Sequence, residues 1–161
     1  MIDKLINIIG QEALLFEEFL ALLDRQKEAL VNNDADQLAV ITREHQDKLL
    51  QSSELTRKRE AVVARIKQER AVEGDLTVRR LLEFADENQS SRLTQLRTAI
   101  LELNDKITHT RNANALLLNQ SREFIARTMK MLSRISHPDQ TYQSTGTSEQ
   151  SSHALAVDRR I

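Results

Sequence analysis

The run Leu93-Thr94-Gln95-Leu96-Arg97-Thr98-Ala99-Ile100-Leu101-Glu102-Leu103-Asn104-Asp105-Lys106-Ile107 decides the fold. Its apolar residues alternate spacings of three and four, and the alternation continues through Thr110, Asn114, Leu117, Ser121, Phe124, Thr128, Met131 and Ile135. Such a period predicts one long helix with a coiled-coil-like seam packed on partner helices. Pro138 stops it, because the residue before a proline is disfavoured in helical geometry. The Ser, Thr, Gln and Gly residues that follow predict a flexible tail over 137–161, beyond a helical bundle over 1–136.

Composition agrees with that period. Charged residues make up 29% of the chain and aromatics 3%, with three glycines and one proline, which is the usage of long helices. Without cysteine there is no disulfide, thiolate nucleophile or sulfur metal site, as suits a reducing cytoplasm. A net charge of −1 argues against a nucleic-acid binder. No apolar run approaches the roughly 20 residues of a membrane span, so no membrane insertion is expected. Asp3 and Lys4 interrupt the apolar start, which is not the pattern of a secretory signal.

Working toward the N-terminus, Ile2, Ile9, Phe16, Leu23 and Leu30 repeat every seven residues, with Leu5 and Phe19 between them. They predict an amphipathic helix over 2–31, weakened at Gly10 by about 1 kcal/mol relative to alanine. Asn32-Asn33-Asp34 breaks it: an asparagine tolerates a left-handed turn, and Asp34 with Gln37 can cap the next helix. A connection this short makes the second helix, about Ala35 to Ala71, antiparallel to the first. Its seam is leaner, with His45, Ser52 and Arg59 falling near seam positions. Glu73-Gly74-Asp75 ends it, and Thr77–Phe84 predicts a short extra helix. Over 86–91 the apolar pattern lapses, as either a kink or a polar stretch of one continuous helix. The expected fold is therefore all-α: an elongated, antiparallel three-helix bundle.

Chemistry finds little purchase. There is no phosphate-binding glycine loop, nucleophile elbow, or Glu-x-x-His pair for a di-metal bundle, so no enzyme activity, cofactor or metal is expected. Asp105 and His109, four apart, read as a surface hydrogen-bonded pair. The basic groups Arg57-Lys58-Arg59 and Arg79-Arg80 are interleaved with glutamates and lack aromatics for base stacking.

The excess lies in the second half of the long helix. Beside the seam residues Leu117, Phe124 and Met131 runs a second row, Leu118, Ile125 and Leu132, with Leu116 and Met129 further round. That width either fills a broad three-helix core or offers an apolar face to another helix. Methionines suit a surface that adapts to more than one partner. Burying about six such side chains at roughly 1.5–3 kcal/mol each would gain on the order of 10–15 kcal/mol before association costs. The same face could instead serve self-association of a structural coiled coil.

Asn112-x-Asn114 followed by Leu116, Leu117 and Ser121, a polar gap, and then Tyr142-Gln143-Ser144-Thr145-Gly146 resembles the signature of the FlgN family of flagellar type III export chaperones. The basic end Asp158-Arg159-Arg160-Ile161 is also similar, whereas Ala115 stands where the family often has glycine. The resemblance implies a cytoplasmic chaperone, monomeric or weakly dimeric. Its clients would be the C-terminal helical regions of the hook–filament junction proteins FlgK and FlgL, and its docking partner the export gate FlhA. On this sequence it implies client contact by Asn112, Asn114, Leu117, Leu118, Ser121, Phe124, Ile125, Met129 and Leu132. Tyr142 and Gly146 would dock to the gate.

Overall fold

A computed structural model describes residues 1–136 as four helices: α1 (Ile2–Asn32), α2 (Ala35–Glu69), α3 (Val78–Phe84) and α4 (Glu87–Ser136). The tail expected over 137–161, with Tyr142 and Gly146, lies outside the described residues. The chain divides into two compact units, Met1–Phe124 and Ile125–Ile161.

Within the first unit α1 is the central helix, and its sequence shows why. Ile2, Leu23 and Leu30 of the expected stripe are buried, but so is a second seven-residue row, Ile8, Leu15, Leu22 and Ala29. Two adjacent rows let one helix serve two neighbours. Leu22 and Ala29 pack with Ile41 of α2, while Leu23 and Gln26 meet Asn114 of α4. The main cluster joins Ile2, Leu5, Ile6 and Ile8 to Val62 and Ile66 of α2, Leu81 of α3 and Leu93 of α4. Among the described residues, α1 and α2 bring their backbones close together along their length. α4 reaches the others mainly through side chains.

The turns follow local chemistry. Asn33 adopts the left-handed conformation at φ 53°, and Asp34 caps α2 by accepting from the Gln37 N–H at 3.0 Å. α2 ends at Glu69, two residues earlier than its pattern suggested, because Ala71 takes a positive φ of 49° ahead of Gly74. Thr77 caps α3 through the Arg80 N–H, and the Arg70 guanidinium lies 5.3 Å from the Phe84 ring centroid.

Of the two alternatives at 86–91 the continuous helix is the one that fails: the chain breaks at Ala85–Asp86, between α3 and α4. Ala85 is extended, and Asp86 and Gln89 form a reciprocal capping box: the Gln89 N–H donates to Asp86 Oδ1 at 2.8 Å and the Asp86 N–H to Gln89 Oε1 at 3.2 Å. α4 begins there.

Three contacts set the direction of α4. Gln89 donates to Asp3, Asn114 meets Leu23 and Gln26, and Ser121 reaches Asn33. Residue numbers rise together, so α4 runs parallel to α1 and antiparallel to α2. The expected helical bundle is what forms.

Candidate protein-binding face on α4

From Leu93 to Ser121 the seam of α4 is covered as its spacing requires. Leu93, Leu96, Ile100, Leu103, Ile107, Thr110, Asn114, Leu117 and Ser121 are buried or half-buried, while most residues between them are exposed. Coverage then stops. Phe124 is 71% exposed and Met131 67%, although both continue the three-four spacing. This corrects their reading as core seam. Ser121 Oγ lies 3.5 Å from Asn33 Oδ1, at the turn where α1 hands over to α2.

The residues singled out in the sequence separate into three groups. Asn114 is the one turned inward: it is 4% exposed, and its amide donates to the Leu23 main-chain oxygen at 2.8 Å and to Gln26 Oε1 at 3.0 Å. Its Oδ1 is buried with no hydrogen-bond partner among the described residues. Leu117 and Ser121 are half-buried against the bundle. Asn112, Leu118 and Phe124 are exposed in the first unit, as are the neighbouring Leu116 and, on the same helix, Leu101.

In the second unit Ile125, Met129, Met131 and Leu132 are all more than half exposed. Ile125, Met129 and Leu132 are spaced by four and three and therefore share one face of the helix. Arg127, Lys130 and Arg134 recur at spacings of three and four on the other side, with no acidic residue between Ile125 and Ser136. The segment is an amphipathic helix with a cationic back.

Exposed polar clasps tie α1 to α2 rather than building a site. Arg25 holds Glu44 at 2.6 Å, and that hydrogen bond keeps the Glu44 carboxyl below the usual carboxylate range. Lys48 pairs with Glu18 at 2.6 Å. Between them His45 stacks on Phe19 with centroids 5.7 Å apart, and burial pushes the imidazole below its ordinary value. Asp105 and His109 are both exposed. Among the described residues no group of His, Asp and Glu is arranged to hold a metal ion, and no helix is long and apolar enough to cross a membrane.

One feature escaped the seam reading. A cleft of about 340 Å³ opens between α1, α2 and α4, lined by Ile9, Phe16, Ser52, Arg59, Leu93 and Arg97 among others. The signal was present in the sequence, because Ser52 and Arg59 occupy seam positions of α2 without filling them.

A family model described as FlgN protein matches residues 1–150. No curated protein and no solved structure matches the chain.

Proposed function

The chain belongs to the FlgN family, chaperones of flagellum biogenesis, and we propose that its clients are the C-terminal helical regions of FlgK and FlgL. In this reading it captures those segments on α4, keeps them soluble and delivers them through FlhA to the type III export apparatus in the cytoplasm. Capture works by burying apolar surface, with no catalytic step.

The observation that supports it most is the exposure of large apolar side chains on α4. Soluble chains seldom leave such residues clustered unless another surface covers them. Phe124 in the first unit, and Ile125, Met129 and Leu132 in the second, are the proposed anchors, with Leu117, Leu118, Asn112 and Ser121 contributing alongside. Asn114 enters through its hold on α1, which sets the rotation of α4 and thus which side chains face outward. Tyr142 and Gly146 are the proposed gate-docking residues.

The test is co-purification of the full chain with FlgK and with FlgL, followed by light scattering. A monomer or weak dimer that shifts to a defined complex is expected. A tight homo-oligomer indifferent to both clients would instead favour self-association through the same helix.

A further inference from the structure

We propose that the cleft between α1, α2 and α4 receives the chain-terminal carboxylate of a client helix whose last residues are apolar. This rests on the chaperone reading, which supplies a client held by its C-terminal region.

The cleft is a consequence of sequence. α2 places Ser52, Thr56 and Arg59 where an apolar seam would meet Ile9 and Phe16 of α1 and Leu93 and Ile100 of α4. Two small hydroxyl side chains and an arginine leave that layer of the bundle unfilled. Packed interiors hold few voids larger than a water molecule. An opening of about 340 Å³ is instead in the range of clefts that take ligands or anchor side chains, about 300–1,000 Å³.

Its walls select the occupant. Most of the lining is apolar, and the charged residues on it are Arg59, Arg97 and Glu12. Glu12 Oε1 lies 2.9 Å from the buried Nε of Arg59, so these two residues form an ion pair on the cleft wall. Arg97 forms no ion pair among the described residues. Two guanidinium groups against one carboxylate leave one positive charge beside an apolar wall. A guanidinium takes a carboxylate through two parallel hydrogen bonds, with a planar geometry that an ammonium lacks. The matching group carries one negative charge on an apolar stem, and the end of a polypeptide with apolar final residues has that form.

The experiment uses the full chain and a short fluorescent helical peptide ending in leucines, made as the free acid and as the C-terminal amide. Fluorescence anisotropy should give the acid roughly ten- to hundredfold tighter binding than the amide, the range set by hydrogen bonds to a charged group. Arg97→Gln, at an exposed position, should erase the difference, and Ser52→Leu should block both peptides by filling the cleft. Circular dichroism checks that both variants stay helical; if Ser52→Leu does not fold, Arg97→Gln alone decides.

Equal binding of acid and amide would overturn the proposal, leaving a site for apolar side chains only. So would binding of octanoate without binding of the acid peptide, which would mark a site for free amphiphiles. Co-purification of each variant with FlgK and FlgL separates the two readings. If Arg97→Gln and Ser52→Leu capture both clients normally while Phe124→Asp does not, the chaperone reading stands and the cleft proposal falls.

Discussion

Asn114 donates its side-chain amide to the main-chain oxygen of Leu23 across 2.8 Å, which fastens α4 to α1 near the end of their shared length. A polar residue at a seam position fixes register at a cost in stability, and here the cost is visible in the unpartnered Oδ1. Replacing Asn114 with alanine removes two hydrogen bonds and should lower stability by about 1–2 kcal/mol in urea unfolding. Asn114→Leu loses the same hydrogen bonds and the same orphaned oxygen but refills the volume with apolar atoms, so it should be less destabilising than alanine. A leucine variant as unstable as the alanine one would show that the lost hydrogen bonds, rather than the cavity left by alanine, set the cost.

Phe124→Asp and Ile125→Asp test the proposed client face without unfolding it. Both positions are at least 60% exposed. Substitutions at such sites usually change stability by no more than about 0.5 kcal/mol. Unfolding midpoints should therefore stay near the parent's while co-purification with FlgK or FlgL is lost. Retained capture by a double variant would place the client elsewhere.

His45 makes stability depend on pH. Burial against Phe19 disfavours the imidazolium, so the folded-state pKa lies below the unfolded value, and the nearby Glu44 only partly offsets this. The unfolded chain then binds the proton more readily. Stability is complete above the ordinary histidine value of about 6.5 and falls as pH drops through that value toward the folded one. Comparing urea midpoints at neutral and mildly acidic pH, the parent should lose more than His45→Gln does. Equal losses would assign the acid sensitivity to other groups.

Two backbone positions should yield stability when changed. A Cβ built at Gly10 meets nothing within 4 Å, so Gly10→Ala should stabilise α1 by about 1 kcal/mol. Ala71 is held at φ 49°, a conformation costing an L-residue roughly 1–2 kcal/mol, so Ala71→Gly should also raise the melting temperature. A drop in either variant would point to a contact beyond the backbone effect.

Tyr142→Ala is expected to leave client capture intact while abolishing association with FlhA, measured by pull-down with the gate's soluble domain. Loss of FlgK or FlgL binding in the same variant would make the tyrosine part of the client site.

Much of this molecule could be read from its residues. The heptads of α1, the turn at Asn33-Asp34 and the seam from Leu93 to Ser121 are local or strictly periodic, and α-helix geometry converts period into face without further information. The capping box Asp86-x-x-Gln89 was equally legible but was obscured by the lapse in apolar pattern around it. The sequence alone could not say that Phe124 is exposed, because it keeps the same spacing as Leu103 and Ile107. Within the first unit Ser121 sits half-buried beside Asn33, where α1 turns back, and Phe124 is exposed. Nor could spacing show that Ser52 and Arg59 leave a cleft, since a void is a property of three surfaces together. Periodicity states which side chains share a face; only the tertiary arrangement decides whether that face meets protein or water.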